Sequence, residues 1–418
     1  MMSLDKRTDL DLSGITIGLV CVGYTLGTGG ITKLSQAGAN SGLAALWPLL
    51  VGGFLFWTLL EATGRFGLVT SGTILHSLRV SVPAGRVIAL LILTGVTLAQ
   101  VTGIPVLVNL VAKLMLMALG LIIPSLPVAH EGAVLGVSVL LLTGVCLILW
   151  NGGIVRFGKI MLGLVGLMIL GIFGSLMLVL SVPHHQVIAP ELSLAEAPSD
   201  LHYLTLLGIA LAAPTFLLRP LLLNKKGWIT AHEKDQSRDA RVAAFVLFGM
   251  TAAIVGTATL IVPDGYAMGS LFPLLDQMQL ECGSFVTGVF LLGLLGAGLS
   301  SLLPMVMISP LLIEDYRHGG LRLRTKLFRG LTVLICVVGL TGHMFEGLLL
   351  AIHRLAGQVA QIVVLPLVTS GILLLLNRGD LMSTHKAGFW LNAGMVAACI
   401  CTLWFSWSGI AALGRSFI

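Results

Sequence analysis

Charged side chains are scarce in this sequence: Asp, Glu, Lys and Arg together make up 10% of 418 residues. A water-soluble domain carries about 25% charged residues, so this composition excludes a soluble globular surface. Hydrophobic residues make up 56% of the chain, and the mean hydropathy is +1.02. The charges form clusters between long apolar runs, and a run of about 20 apolar residues is long enough to cross a bilayer as a helix. The pattern therefore indicates a polytopic membrane protein.

Features of several other protein classes are also missing. The six cysteines and ten histidines show no zinc-ligand spacing. We find no nucleophile elbow, phosphate-binding loop or pair of catalytic carboxylates. The net charge of +6 comes from basic loops and not from a nucleic-acid-binding motif. We therefore expect no enzymatic activity, no cofactor and no nucleic-acid partner.

The apolar runs predict an all-α membrane protein with eleven transmembrane helices. Their approximate bounds are 15–38, 43–63, 86–112, 132–150, 154–182, 201–224, 241–262, 284–313, 327–345, 348–376 and 387–412. Basic residues concentrate before the first span and in every second loop, whereas the intervening loops are acidic or neutral. This positive-inside pattern predicts a bacterial-type inner-membrane protein whose N-terminus, residues 1–14, is cytoplasmic. That polar start, and the length of the first apolar run, also argue against a cleavable signal peptide.

Helix-breaking residues interrupt spans 1 and 6. Glycine is a weak helix former, and proline removes a helical hydrogen bond, so both segments leave backbone groups free at mid-membrane. In lipid, such groups must bond to protein, water or a bound solute. Paired breaks of this kind mark the binding sites of secondary transporters. The predicted substrate-binding residues at the two breaks are Gly27, Thr28, Gly29, Gly30, Ala212, Ala213, Pro214 and Thr215.

The spacing of the two breaks predicts an internal repeat. They lie five spans apart, as expected for two inverted five-helix repeats. The first repeat would cover residues 15–182 and the second 201–376, and residues 387–412 would form an extra eleventh helix.

Short segments along most of the chain resemble the natural-resistance-associated macrophage protein (Nramp) metal transporters. They are Gln36–Ala39, Leu46-Trp47, Glu61, Arg65, Val69, Thr70, Gly72, Gly293–Ser301, Gln358, Leu365-Pro366, Asn377-Arg378 and Asp380–Met382. The resemblance implies a leucine-transporter-type 5+5 inverted repeat with discontinuous helices 1 and 6. It also implies proton-coupled import of manganese, iron or a related divalent ion.

The chain departs from that family at the expected metal site. The family has Asp-Pro-Gly-Asn in helix 1, where this chain has Gly27–Gly30. The family has Met-Pro-His in helix 6, where this chain has Ala213–Thr215. The resemblance also places Gln358 on a tenth-helix glutamine that can approach the site. Carboxylate, imidazole and thioether ligands for manganese or iron are thus absent at the matched positions.

Charged residues inside the spans leave several hypotheses open. Glu61 is the one acidic residue within the predicted spans, and it either pairs with Arg65 at i+4 or relays protons. Arg219 lies one turn past the second break with no acid close in sequence, and Lys33 follows the first break. Basic residues near helix N-termini favour an anion, although each could also extend to the membrane interface or pair with a loop acid.

The leading hypothesis is a secondary transporter that works by alternating access across the inner membrane. Its substrate is a small inorganic ion or other small solute, by family default a divalent cation but with altered specificity. Backbone carbonyls and neutral side-chain oxygens would suit a hydrated hard cation such as magnesium. A carrier of a small anion or carboxylated solute is the alternative that Arg219 and Lys33 suggest. A non-transporting membrane scaffold or sensor is a further alternative, and proton coupling stays open.

Overall fold

The computed structural model describes residues 16–123, 131–150, 154–182, 206–262, 270–320, 322–343 and 348–416. Within these ranges every regular element is a helix, and nine helices are long and apolar enough to cross a membrane. The predicted N-terminal segment, residues 1–14, lies outside the described residues. The described residues thus match the predicted all-α fold class.

The first half of the chain begins with a discontinuous helix and ends with a long one. Its helices are α1 (Thr16–Thr25), α2 (Thr28–Ser41), α3 (Leu46–Thr70), α4 (Ile74–Ser81), α5 (Gly85–Ile122), α6 (Glu131–Trp150) and α7 (Ile154–Ser181). Helices α1 and α2 together form the predicted span 1. Each later predicted span of this half coincides with one long helix.

The second half repeats this order. Residues 206–209 are helical and lead into α8 (Ala213–Lys226), so span 6 is also discontinuous. The helices that follow are α9 (Glu233–Ile261), α10 (Phe272–His318), α11 (Lys326–Leu340), α12 (Leu348–Asn377), α13 (Gly379–Met382) and α14 (Phe389–Ser416). Helix α14 is the predicted extra helix.

A left-handed residue precedes the third span of each half. In the first half, Ala84 (φ 58°) separates the short α4 from α5. In the second half, Gly283 (φ 81°) divides α10 into a short leading segment and a long helix. Glycine adopts a positive φ at no steric cost, whereas alanine is strained there. The shared interruption is a local sign of the inverted repeat.

Close backbone packing joins the two halves along α7 and α10. A Cβ atom on Gly171 of α7 would lie 2.3 Å from the backbone nitrogen of Gly293 in α10. A Cβ atom on Gly296 would lie 2.7 Å from the backbone nitrogen of Met168. Small residues allow such contact between membrane helices, where van der Waals packing is a main source of association. The segment Gly293–Ser301 therefore forms part of the contact between repeats.

Several predicted bounds differ from the structure. Span 7 was expected at 241–262, but α9 begins at Glu233, so two further turns of charged sequence are helical. Helix α11 has 15 residues, fewer than the roughly 20 that a helix needs to cross a bilayer, so it is not among the nine long helices of the described region. Residues 29–70 are almost continuously helical, because only a short 3-10 turn separates α2 from α3, so they count as one of the nine long helices. The exact count of eleven, and the repeat bounds 15–182 and 201–376, therefore remain predictions.

Candidate functional site

The first break is shorter than the sequence indicates. Helix α1 ends at Thr25 and α2 begins at Thr28, so Leu26 and Gly27 are the non-helical residues. Gly27 is extended (φ −79°, ψ 169°) and its carbonyl accepts a 3.0 Å hydrogen bond from the Ile31 amide. Thr28, Gly29 and Gly30 form the first turn of α2, whose initial N–H groups have no partner within the helix.

The second break precedes Pro214 and does not surround it. Residues 210–212 are non-helical, and Pro214 lies in the first turn of α8. Proline suits this position, because its missing N–H would be unpaired there in any case and its φ is already helical. The proline therefore begins a half-helix, within the predicted break residues Ala212–Thr215. The Ala212 carbonyl accepts a 3.0 Å hydrogen bond from the Thr215 amide.

The two breaks lie in contact with each other. The hydroxyl oxygens of Thr25 and Thr215 are 3.0 Å apart, and both side chains are buried. A Cβ atom on Gly30 would lie 3.3 Å from Cγ2 of Ile209, at the end of the short helix before α8. The structure thus brings the predicted residues of spans 1 and 6 together and adds Thr25, which sequence reasoning missed.

Side chains from two further helices complete the surroundings of the first break. The Tyr24 hydroxyl donates a 3.0 Å hydrogen bond to Oε1 of Gln100 on α5, which is buried. The hydroxyls of Ser300 and Ser301 on α10 each donate a 3.0 Å bond to the Gly23 carbonyl. These serines satisfy a carbonyl that the end of α1 leaves without a helical partner.

Three of these contacts had detectable signals in the sequence. Ser300 and Ser301 end the Gly293–Ser301 segment, which the resemblance marks without giving it a role. Gln100 is a polar residue in the middle of the long apolar run of α5. Polar side chains buried in a membrane bundle normally bond across helices. Span periodicity alone does not show which partner each one meets.

Arg219 does not face the site as a free cation. Its Nη1 atom lies 3.0 Å from Oδ2 of Asp239 on α9, and both side chains are fully buried. Asp239 was placed outside the spans, and that expectation is wrong because α9 begins two turns earlier. The expectation of one acidic residue within the spans fails further, since Glu314 and Asp315 are buried near the end of α10. The charges of Arg219 and Asp239 cancel, which removes the main support for a bound anion.

Glu61 bonds to α9 and not to Arg65. Its Oε1 accepts a 2.6 Å hydrogen bond from the Ser237 hydroxyl, and its Oε2 accepts a 3.2 Å bond from Nε2 of Gln236. Arg65 instead lies 3.6 Å from Glu233, at the start of α9. The alternative of an i, i+4 salt bridge is therefore wrong. Glu61 is half-buried beside these neutral donors, and its role as a proton relay stays a prediction.

The remaining predicted residues contribute less to this description. Gln358 is in α12 and Thr28 is in α2, but both of their side chains lie outside the described residues. The side chain of Lys33 is exposed. Among the described side chains, no three His, Cys, Asp or Glu residues could hold a metal ion together. The described part of the site offers hydroxyl, amide and backbone groups without net charge.

Comparison with known proteins identifies a family over nearly the whole chain. The sequence profile described as natural resistance-associated macrophage protein-like (Nramp) matches residues 18–411. A comparison with curated proteins gives no significant match.

Solved structures share the architecture at low sequence identity. The manganese transporter of Eremococcus coleocola, in complex with an aromatic bis-isothiourea substituted compound, has a TM-score of 0.74 and 14% identity. That alignment covers 98% of this chain and 89% of the transporter. MhsT in complex with L-phenylalanine has a TM-score of 0.65 and 20% identity, over 95% of this chain and 99% of MhsT. A nucleobase-cation-symport-1 family transporter in a closed conformation has a TM-score of 0.55 and 13% identity, over 97% and 93% of the two chains. These likenesses confirm the predicted leucine-transporter-type fold.

Proposed function

The chain belongs to the Nramp family, and from this membership we propose that it is a secondary transporter of a small divalent cation with altered specificity. The observation that carries the proposal is the contact between the two helix breaks through Thr25 and Thr215. Buried breaks cost helical hydrogen bonds, and a membrane protein tolerates them where they line a cavity or a site. A scaffold or sensor would gain nothing from two such breaks in contact.

The altered specificity is proposed from the chemistry of the described groups. Manganese and iron prefer sites with imidazole, thioether or carboxylate ligands, whereas magnesium keeps much of its water shell and accepts neutral oxygens. Thr25, Thr215, Tyr24 and Gln100 present hydroxyl and amide groups at the break. A Cβ atom on Gly29 would meet no atom within 4 Å, so the first turn of α2 has open space on the side of Gly29. A hard cation that retains part of its hydration therefore fits this site better than a dehydrated soft one.

The half-helix ends give the break two sides: carbonyl ends that favour a cation, and the N-terminal ends of α2 and α8 that favour an anion. The C-terminal end of α1 and the end of residues 206–209 carry the negative ends of helix dipoles. We place the substrate between these ends and the residues Gly27, Ala212 and Thr215. Alternating access would move the half-helices against the rest of the bundle, with Glu61 as the proton relay if flux is proton-coupled.

Uptake into proteoliposomes tests the substrate class. Purified protein is reconstituted, and entry of Mg²⁺, Mn²⁺, chloride and labelled acetate is measured separately. We expect divalent-cation uptake above protein-free vesicles, with Mg²⁺ competing effectively against Mn²⁺. Uptake of acetate or chloride without cation flux would favour the anion carrier, and no flux of any solute would favour the scaffold.

The hydroxyl contact provides a matched pair of variants. Thr215→Val removes one hydroxyl at the break, whereas Thr369→Val removes one from a buried pair at 3.0 Å between α12 and α14. After the Thr369 change the Thr402 hydroxyl keeps a 3.0 Å bond to the Cys399 carbonyl, so the stability cost of this control should be no larger than that of Thr215→Val. We expect Thr215→Val to weaken apparent cation affinity about tenfold and Thr369→Val to leave it within about twofold of the parent. Equal effects on affinity would contradict the placement of the site.

A further inference from the structure

The Arg219–Asp239 ion pair joins three helices at one buried point. Arg219 belongs to α8 and Asp239 to α9, with 3.0 Å between Nη1 and Oδ2. The other carboxylate oxygen, Oδ1, accepts a 2.9 Å hydrogen bond from the backbone N–H of Gly18 on α1. A Cβ atom on Gly18 would lie 2.7 Å from Cβ of Ala243, so α1 packs directly on α9 here. One carboxylate thus holds both half-helices on this side of the breaks.

The guanidinium of Arg219 is poorly satisfied for a fully buried group. Its Nε atom has no hydrogen-bond partner, and its Nη2 atom donates one long bond of 3.5 Å to the Gln236 carbonyl. A buried charge is stable when its ion pair is accompanied by further hydrogen bonds, and missing bonds carry a desolvation penalty. The ion pair is therefore a strong attraction, but the guanidinium lacks some of the hydrogen bonds that would stabilise it further. Such a contact is easier to break than a fully hydrogen-bonded one.

The position of the pair relates it to the transport cycle. Helices α1 and α8 are the halves of the discontinuous helices that extend from the breaks toward the predicted cytoplasmic side. Opening that side requires both to separate from α9. Resting on the alternating access proposed above, we propose that Arg219 and Asp239 are positioning residues that hold the cytoplasmic side closed and separate when it opens.

Cys21 is a native reporter of this contact. It lies on α1 between Gly18 and Thr25, beside Arg219, and its side chain is 1% exposed. It becomes the sole cysteine after serine replacement of the others, which are Cys146, Cys282, Cys336, Cys399 and Cys401. In inside-out vesicles, a membrane-impermeant maleimide reaches Cys21 only when α1 leaves α9. The labelling rate follows the open population, and the variant that loses both charges is decisive, because Arg219 and Asp239 act on the reactivity of the Cys21 thiol in opposite directions.

Neutralising the pair should expose the reporter. We expect Asp239→Asn and Arg219→Gln each to raise the Cys21 labelling rate about tenfold, because the open state gains population. Arg219→Lys keeps a cation beside Asp239 but loses the guanidinium fork, so its labelling rate should lie between those of the parent and Arg219→Gln. Asp380→Asn is the matched control, since it breaks the Arg378–Asp380 pair on the exposed surface (Nε to Oδ1, 2.9 Å). That variant should leave labelling unchanged.

Folding and transport are followed in the same vesicles. Should a single variant leave an uncompensated charge and fail to fold, the double variant Arg219→Gln/Asp239→Asn removes both charges and must show the same rise. A folded neutral variant with parental labelling would overturn the proposal, because the pair would then be structural only. Cation uptake is scored separately: parental uptake with unchanged labelling refutes the positioning role alone. A labelling rise without cation uptake refutes the proposed substrate alone.

Discussion

At the scale of single residues, the break is surrounded by groups that donate and accept hydrogen bonds without carrying charge. Thr25 and Thr215 bond to each other, and Tyr24 bonds to Gln100. Each of these groups already has a protein partner, so a hydrated ion would exchange one neutral oxygen for another. This exchange favours an ion whose own water shell remains largely in place.

Glu61 allows a residue-scale test of proton coupling. Glu61→Gln keeps the shape of the side chain but removes its ability to carry a proton, and the Ser237 hydroxyl can still bond to it. If Glu61 relays protons, an inward proton gradient should accelerate cation uptake by the parent and about tenfold less by the variant. The measurement compares uptake with and without the gradient in proteoliposomes. Glu131→Gln, on the exposed first turn of α6, serves as control. Equal acceleration of parent and Glu61→Gln would exclude the relay.

Sequence reasoning at this scale found positions more easily than partners. Glycine and proline revealed the two breaks because their backbone effects are local. Arg219 was recognised as a charge without a nearby acid, but its partner Asp239 lies 20 residues further on another helix. Asp239 meets Arg219 because α9 begins at Glu233 and so includes Asp239. A search for apolar runs does not find this start, because the first turns of α9 are charged. Glu61 likewise found its partners on α9, although Arg65 is closer in sequence.

At the scale of helices, the contact of α7 with α10 depends on small residues. The backbone approach at Gly171 and Gly293 leaves no space for a Cβ atom. Such packing replaces the hydrophobic driving force that is absent between helices in lipid. Whether a glycine of α7 tolerates a larger side chain therefore depends on whether its face of the helix contacts α10.

A pair of alanine substitutions in α7 tests this dependence. Gly171→Ala would place Cβ 2.3 Å from the backbone of Gly293, whereas a Cβ atom on Gly163 would meet no atom within 4 Å. Both changes raise helix propensity equally. We expect Gly171→Ala to destabilise the protein by about 1–3 kcal/mol through overpacking. Gly163→Ala should leave thermal unfolding in detergent unchanged or slightly improved. A similar melting temperature for both variants would contradict the close contact.

Helix number and order were largely predictable, whereas helix ends were not. Apolar length determined the long helices, and the spacing of the breaks indicated the repeat. The second break was predicted at Ala212–Thr215, and its non-helical residues are 210–212, because proline is accommodated in the first turn of a helix. The structure also extended α9 to Glu233. Ends are set by capping and tertiary contacts, which the apolar pattern does not record.

At the scale of the whole molecule, orientation follows from the loops. The basic loops lie at the same side as the start of α1, the end of α8 and the start of α9. The positive-inside rule predicts that this side faces the cytoplasm. On this prediction the side with acidic loops faces outward, and the segment before Gly283 belongs to it.

Cysteine labelling of intact cells tests this orientation. In a variant without native cysteines, Glu281→Cys lies just before Gly283 and Ser383→Cys lies between α13 and α14; both positions are exposed. An impermeant maleimide should label Glu281→Cys in intact cells and Ser383→Cys only after the membrane is permeabilised. The reverse result would mean that the chain has the opposite orientation.

Two separate contacts hold the short helix α1, and they allow it to rotate about one of them. Near the break, the Gly23 carbonyl accepts hydrogen bonds from Ser300 and Ser301 of α10. Nearer the N-terminal end of α1, the Gly18 N–H donates to Asp239. Five residues separate these points, which is about 7.5 Å along a helix axis. If the Gly18 attachment releases first, α1 pivots about Gly23. Thr25 then moves little while the N-terminal turns of α1 swing widely, so a path on that side would widen while Thr25 keeps its contact with Thr215.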